Sequence, residues 1–222
     1  MERKHITAGF LAAEGVLYAW FLAADLDLLN QTDTVPVKYG GILLCLAFSL
    51  LACLQWGGDW LIPPALTLTA GADWFLLVRN DHYAAGIALF LCVQAAYCLR
   101  LRRMGAGSGW PLRAALALGA GAGLCALGLA SPVNLLAGLY FSQLLSNTVL
   151  AWRGKGRLQR LFAVGLTLFV GCDLCVGLFN LRPPNLVLYY LVSVGMWFFY
   201  LPSQVLIALS ALPGKEIPNE AK

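Results

Sequence analysis

Long apolar runs alternate with short polar connections along the whole chain. Eight of these runs approach the roughly 20 residues that a helix needs to cross a hydrocarbon core of about 30 Å. They predict membrane-spanning helices near residues 6–26, 36–54, 60–79, 83–101, 112–130, 134–152, 158–179 and 185–211. In the fifth run, Gly119 and Gly123 form a G-x-x-x-G pair, which favours close packing against a neighbouring helix.

Composition supports this pattern, because 60% of the residues are hydrophobic and 12% are charged, against about 25% charged in soluble domains. We therefore expect an all-α, polytopic membrane protein whose residues 1–222 form a single transmembrane bundle. The first run contains Glu14 and Tyr18 and continues for a full span, so it reads as a helix rather than a signal peptide. Asp73 and Asp173 lie 100 residues apart, each two residues after a glycine, which suggests a parallel repeat of residues 1–104 and 112–211.

The basic residues indicate the orientation of the bundle. With eight spans, both termini and the 2–3, 4–5 and 6–7 connections share one side. That side holds 12 of the cations, namely Arg3, Lys4, Arg100, Arg102, Arg103, Arg113, Arg153, Lys155, Arg157, Arg160, Lys215 and Lys222, and the other holds Lys38, Arg79 and Arg182. The positive-inside rule then predicts cytoplasmic termini in a multi-pass protein of the cell membrane. The net charge of +4 reflects this topology and bilayer lipid contacts, not a nucleic-acid partner.

Cysteine and histidine usage predicts no metal or other cofactor. All seven cysteines fall in predicted spans, where a thiol behaves as a small apolar side chain. Cys172 and Cys175 form a C-x-x-C spacing, but the chain has no second such pair and only two histidines, His5 and His82. Motifs for a nucleophilic serine or a zinc hydrolase are also missing from the sequence.

Two acidic residues, Asp73 and Asp173, lie inside predicted spans three and seven. An acidic residue at the centre of a span costs roughly 3 kcal/mol, so such residues usually face a protein interior or a wet cavity and mark function. Counted from Arg79 and Arg182, both carboxyls lie on the order of 10 Å below the outer rim. We therefore expect them to meet. Lys38, Arg79, His82 and Arg182 sit on that rim, a layout suited to a ligand with a phosphate head and a hydrocarbon tail.

Several other polar side chains fall within the spans and are candidates for substrate binding. These are Glu14, Gln94, Tyr97, Tyr200 and Gln204. For each glutamine or tyrosine alone, hydrogen bonding between helices or an aromatic belt is the simpler interpretation. The aspartates differ, because two close carboxyls in a low dielectric share a proton and so provide an acid and a base together. Glycosidases use such a pair to form and quench an oxocarbenium ion.

Four segments of the chain form a recognisable set: Gly71-Ala72-Asp73-Trp74-Phe75-Leu76-Leu77, the stretch from Gly86 to Tyr97, Gly171-Cys172-Asp173, and Tyr200-Leu201-Pro202-Ser203-Gln204-Val205-Leu206-Ile207-Ala208-Leu209-Ser210. Together they resemble the lysoplasmalogenase-like (YhhN-type) membrane proteins. Lys38 also resembles the lysine that opens the family's second span. The sequence departs from the family pattern at Tyr39, which replaces a proline, at Cys172, which replaces a serine, and at Gln94, which replaces a histidine. Glutamine can hydrogen-bond but cannot exchange a proton near neutral pH.

The resemblance implies cleavage of the vinyl ether bond of lysoplasmalogens to a fatty aldehyde and a glycerophospho-headgroup. Asp73 and Asp173 would then be the catalytic acid/base pair, and Lys38, with Arg79 or Arg182, would hold the phosphate of this lysophospholipid substrate. Two other functions stay open from the residues alone. A proton-coupled transporter would also use buried acids and glutamines, and a noncatalytic lipid-binding bundle would use the aspartates to bind basic side chains across helices.

Overall fold

The computed structural model describes residues 3–26, 33–182 and 185–214, and all regular structure in these ranges is helical. The described residues form eight α-helices, which confirms the predicted number. Their bounds are α1 Arg3–Asp25, α2 Val35–Trp56, α3 Ile62–Asp73, α4 Tyr83–Arg103, α5 Trp110–Ala126, α6 Pro132–Ala151, α7 Arg157–Asn180 and α8 Leu186–Leu209. A π-helical turn, Trp74–Val78, continues α3.

Local sequence sets the ends of these helices. Proline occupies the first turn of α2, α3, α5 and α6, where its missing N–H costs no hydrogen bond. The side chains of Ser131 and Asn185 cap α6 and α8 by accepting from the backbone N–H three residues on, as is typical of these residue types. Gly57 ends α2 with φ 67°, a left-handed conformation that glycine adopts without strain.

Five helices are long and apolar enough to cross a membrane, namely α1, α2, α4, α7 and α8. The apolar helical segment Ile62–Val78 is shorter, at the lower limit of a span. Helix α6 carries polar side chains along one stretch, including Ser142, Ser146 and Asn147, and all three are buried. Together with the composition, these helices make the chain a polytopic membrane protein.

Helix α3 packs among several other helices of the bundle. Helices α7 and α8 form the most extensive pair, while α3 contacts α2, α4 and α8, and its π-helical turn contacts α2 and α4. Two glycines allow close approaches: a Cβ on Gly165 of α7 would lie 2.9 Å from Cγ1 of Ile207 in α8, and one on Gly86 would lie 2.5 Å from Cγ of Leu76. The π-helical turn can therefore press directly on α4.

Helix α5 lies at the edge of the bundle. The prediction that its glycines pack closely against a neighbouring helix is not met. Among the described helices, α5 contacts α6 alone. A Cβ on Gly119 or Gly123 would meet no described atom within 4 Å, whereas one on Gly138 of α6 would lie 3.0 Å from Leu124. The close approach between these helices thus occurs at a glycine of α6, because the predicted pair faces away from α6.

Contacts between loops define two ends of the bundle. Arg100 at the end of α4 binds Asp59 of the α2–α3 connection and Ser210 after α8. We call this end, which also carries the α4–α5 and α6–α7 connections, the basic face. The opposite face carries the end of α3 and the start of α2. Assigning the basic face to the cytoplasm stays a prediction from the charge pattern.

Candidate active site

Asp73 is the last residue of α3, directly before the π-helical turn. Its side chain is buried, and the hydroxyl of Tyr200 in α8 donates a hydrogen bond of 2.7 Å to Oδ2. The backbone N–H of Arg79 binds the carbonyl of Trp74, five residues earlier, which is the π-helical pattern. Such turns are frequent at functional sites because the extra residue re-aims the side chains around it. Nothing in the hydrophobic pattern predicted this turn.

Asp173 of α7 faces the same buried region. The two carboxyl groups interact electrostatically with each other, and the thiol of Cys172 interacts with both. Tyr140 of α6 also interacts with Asp173. In the described part of the chain, however, neither the Tyr140 hydroxyl nor Oδ2 of Asp173 makes a hydrogen bond of good geometry, although both atoms are buried. The structure thus brings the two predicted acids together and leaves one of them with an unsatisfied oxygen.

Aromatic rings surround this polar region. The ring centroid of Phe169 lies 5.4 Å from that of Tyr200 and 5.6 Å from that of Phe90, and Phe90 lies 5.6 Å from Tyr140. Phe169 and Phe90 therefore bridge the two tyrosines. Their apolar faces lower the local dielectric constant, which strengthens every electrostatic interaction of the carboxyls.

Lys38 is buried near the start of α2 and is paired with Asp25 at the end of α1. Its Nζ lies 2.6 Å from Oδ2 and 2.8 Å from Oδ1 of Asp25. The same ammonium lies 5.2 Å from the ring centroid of Trp197, and the Trp197 ring lies 5.2 Å from that of Tyr200. One aromatic ring therefore separates Lys38 from the Tyr200–Asp73 pair. Asp25 was missed from the sequence, although an acid at the end of an apolar run was a usable signal.

Glu14 and Gln204 are buried in the bundle interior. The Cys45 thiol donates to Oε1 of Glu14 at 3.3 Å, while Oε2 has no hydrogen-bond partner among the described residues. A Cβ on Gly41 would lie 3.2 Å from that oxygen, so α2 closes over it. Neither amide atom of Gln204 has a described partner. Both residues keep spare hydrogen-bonding capacity inside the bundle, where water or a ligand could use it.

Gln94 belongs to a separate polar network. Nδ2 of Asn147 donates to the backbone carbonyl and to Oε1 of Gln94, both at 2.9 Å, and Arg113 donates to Asn147 at 2.6 Å. Tyr97, one turn further along α4, packs edge-on against Phe162 with 5.2 Å between ring centroids. Its buried hydroxyl has no described hydrogen-bond partner. Gln94 is thus held by hydrogen bonds from Asn147 of α6. Tyr97 is buried in the core of the bundle.

Arg79 lies in an exposed loop and forms an ion pair with a neighbouring acidic residue. Its Nη2 lies 3.0 Å from Oδ2 of Asp81, and Nδ1 of His82 lies 2.9 Å from Oδ1 of the same carboxylate. These hydrogen bonds, first from Arg79 and then from His82, hold the pKa of Asp81 below its usual range. Arg182 is exposed as well. Of the cations expected above the acids, the structure brings Lys38 to the site and leaves Arg79 in the loop.

No group of three or more histidine, cysteine, aspartate or glutamate side chains in the described ranges could hold a metal ion. All seven cysteines are free. The side chains that the described site brings together are carboxyl and hydroxyl groups beside one buried ammonium.

A family model, described as the YhhN family, matches residues 33–211. The chain belongs to the YhhN family. The match covers α2 to α8 and includes Lys38, Asp73, Asp173 and Tyr200, and it confirms at family level the resemblance to lysoplasmalogenase-like membrane proteins. A search of curated proteins found no match, and neither did a search of solved structures. Asp25, the partner of Lys38, precedes the matched range of this YhhN-family chain.

Proposed function

We propose that the protein hydrolyses the vinyl ether bond of lysoplasmalogens, with Asp73 and Asp173 as its acid/base pair. One observation carries the proposal: the buried Asp73 of α3 and the partly buried Asp173 of α7 interact electrostatically with each other, beside tyrosine and phenylalanine side chains. Such a pair provides a proton donor and a proton acceptor without a nucleophilic serine.

In the proposed reaction, the protonated carboxyl donates its proton to the vinyl carbon remote from the ether oxygen. The carbon bonded to that oxygen becomes an oxocarbenium ion, which the neighbouring carboxylate stabilises. The carboxylate then accepts a proton from a water molecule as the water oxygen bonds to this carbon. As the resulting hemiacetal collapses, the second carboxyl donates its new proton to the glycerol oxygen while the bond to that oxygen breaks. The first carboxyl, now a carboxylate, accepts the hemiacetal hydroxyl proton, and a fatty aldehyde is released. One water molecule is consumed, and both carboxyls return to their starting states.

Tyr200 and Lys38 have distinct places in this scheme. The Tyr200 hydroxyl donates to Oδ2 of Asp73 and so orients that carboxyl within the pair. Lys38 would bind the substrate phosphate by exchanging part of its pairing with Asp25. The alkenyl chain would then extend along the apolar walls of the bundle, as expected for a substrate that enters from the bilayer.

The experiment supplies the purified protein with a lysoplasmalogen and, separately, with an ester lysophospholipid of the same headgroup. We expect aldehyde release from the first substrate and no fatty acid release from the second. Asp73→Asn and Asp173→Asn should each abolish aldehyde release. Asp81→Asn is the matched control, because it removes a carboxyl from the exposed loop beside Arg79. Full activity in either site variant would reject the assignment, and fatty acid release would replace it with an esterase.

A second function, proton-coupled transport, is favoured by one specific observation. Buried polar groups continue from the aspartates toward the basic face: Tyr140 interacts with Asp173 and with Tyr97, and Tyr97 interacts with Cys45 and Arg100. A transporter needs such a polar path to both faces.

Reconstituted vesicles distinguish the two functions. A pH-sensitive dye inside the vesicles reports proton movement under an imposed gradient. Transport requires proton flux that Tyr97→Phe reduces, since this change removes a hydroxyl from the middle of the polar path. Hydrolysis requires aldehyde formation with no flux. A protein that binds lysolipid but shows neither signal would be the noncatalytic lipid-binding bundle.

A further inference from the structure

A cleft of about 450 Å³ opens on the basic face between α7 and α8. Its lining residues are Gly156, Arg157, Arg160, Leu161, Val164 and Leu206. The site at Asp73 lies toward the opposite face. The cleft is therefore a separate feature of the molecule, and neither the family match nor the proposed hydrolysis gives it a role.

The side chains at the cleft carry positive charge and have no acidic partner among the described residues. Arg157 and Arg160 line it, and Arg153 and Lys155 lie in the connection just before it. All four side chains are exposed, and none makes an ion pair or a side-chain hydrogen bond with another described residue. The sequence explains this, because α6, α8 and the first half of α7 contain no acidic residue. An anion bound here would meet two arginines, and no carboxylate of the described residues would compete with it.

The backbone adds to the positive electrostatic potential at the cleft. Helix α7 begins at Arg157, and Gly156 precedes it with φ 101° and no side-chain cap. Its first backbone N–H groups therefore lack a capping partner at the mouth of the cleft, and the helix dipole favours an anion there. The helix end supports the site rather than defining it, since the cavity and its two arginines are independent observations.

The wall of the cleft changes character along the helix. Arg157, Arg160, Leu161 and Val164 are spaced by three or four residues, so they share one face of α7. The arginines come first and the apolar residues follow toward the interior, where Leu206 of α8 faces them. Polar contacts at the membrane surface followed by apolar contacts at depth match the order of groups in a phospholipid.

We propose that this cleft binds an anionic phospholipid from the leaflet at the basic face. Its phosphate lies between Arg157 and Arg160, and the first part of one chain packs along Leu161, Val164 and Leu206. Zwitterionic lipids also carry a phosphate, but their ammonium would be repelled by the unpaired cations around the mouth. The site therefore selects by net headgroup charge.

The test is native mass spectrometry of the purified, delipidated protein at fixed ionic strength. Phosphatidylglycerol and phosphatidylcholine with identical chains are titrated in parallel. We expect one tightly bound phosphatidylglycerol and at least tenfold weaker binding of phosphatidylcholine. Arg157→Gln with Arg160→Gln should weaken phosphatidylglycerol binding about 25-fold, because each basic residue near an anionic headgroup contributes a factor of about five. The matched control is Arg102→Gln with Arg103→Gln, exposed cations on the same face at the end of α4.

A second variant tests the apolar wall without changing the charge. Val164→Trp fills the cleft and should also displace the lipid, while a thermal unfolding scan checks that each variant is folded. Equal binding of the two lipids would overturn the proposal, and so would equal losses in the cleft and control variants. Inorganic phosphate should not displace the lipid at matched concentration. If it does, the cleft is a simple anion site and the lipid assignment fails.

Discussion

Both ends of the bundle bury charged side chains, but these side chains differ in how many hydrogen-bond partners they have. At the basic face, Arg100 is 2% exposed. Its Nε donates to Asp59 at 2.6 Å, while Nη1 and Nη2 donate to the hydroxyl and the carbonyl of Ser210 at 2.9 and 2.7 Å. The guanidinium also lies 4.2 Å above the ring of Phe162. Every arm of this cation has a partner.

At the opposite face, one of the two acids has an oxygen without a described hydrogen-bond partner. Oδ2 of Asp173 and the hydroxyl of Tyr140 have no hydrogen-bond partner in the described ranges. An unsatisfied buried polar atom costs about 1–3 kcal/mol, so a fold optimised for stability alone would not keep such atoms together. The difference is that each nitrogen of the Arg100 guanidinium has a described partner, whereas Oδ2 of Asp173 has none among the described residues. It supports the roles that we propose, a structural one for Arg100 and a functional one for the aspartates.

The strongest way to break this comparison is to neutralise the acids. Asp73→Asn or Asp173→Asn should lower the turnover of lysoplasmalogen about 10³-fold or more, as expected for loss of a general acid or base. Stability should change little, because the amide occupies the same volume. Aldehyde release and thermal unfolding, measured on the same preparations, check both parts. A large loss of stability in these variants would mean that the acids, like Arg100, stabilise the fold.

The second prediction concerns the basic face. Arg100→Met should reduce the free energy of unfolding by about 3 kcal/mol, since it removes a buried guanidinium together with its three hydrogen bonds. Activity per folded molecule should stay near that of the parent protein. Adding Asp59→Asn should recover part of the loss, because the stranded carboxylate is gone. Thermal unfolding in detergent gives the result, and an unchanged midpoint in the single variant would contradict it.

The third prediction concerns the buried ammonium near the site. Lys38→Gln should raise KM about tenfold with a smaller effect on kcat, because a charge-assisted hydrogen bond to phosphate contributes about 1.5 kcal/mol or more. Lys38→Arg keeps the charge and should retain most of the affinity. A pure loss of kcat, with KM unchanged, would instead place Lys38 in the chemical step.

A matched pair of tyrosines sharpens the role of the hydrogen bond at Asp73. Tyr200→Phe should lower kcat about tenfold, because it removes a donor to a charged acceptor. Tyr140→Phe should have an effect below about threefold, since the Tyr140 hydroxyl makes no hydrogen bond of good geometry. Steady-state kinetics of the two variants give the comparison. Equal losses would mean that both hydroxyls act on the carboxyl pair.

The smallest effect is expected in the exposed loop. Arg79→Gln should change kcat/KM by less than about twofold, because ion pairs at exposed positions contribute little and this arginine is held by Asp81. Michaelis constants measured beside those of Lys38→Gln give the contrast. A tenfold rise in KM would show that Arg79 leaves Asp81 to bind the substrate, and would support the role first expected from its position in the sequence.

Much of the fold followed from the sequence because the signals are local. Run length and polarity predicted eight helices, and prolines and capping side chains set where several of them begin. The similar depth of Asp73 and Asp173 stays a prediction, made by counting residues along two helices that run in the same direction. Asp81, two residues after Arg79, was also a local signal that this cation would be occupied.

The sequence by itself determined the membrane character, the eight helices and the acids inside two of them, since these depend on length, polarity and 1.5 Å of rise per residue. Tertiary structure decided the partners: Tyr200 with Asp73, Asp25 with Lys38, Asn147 with Gln94, and the cleft at Arg157. Each contact depends on how helices distant in sequence are rotated and packed against one another. The π-helical turn after Asp73 belongs with these, because packing of Leu76 on Gly86 is a contact between two helices.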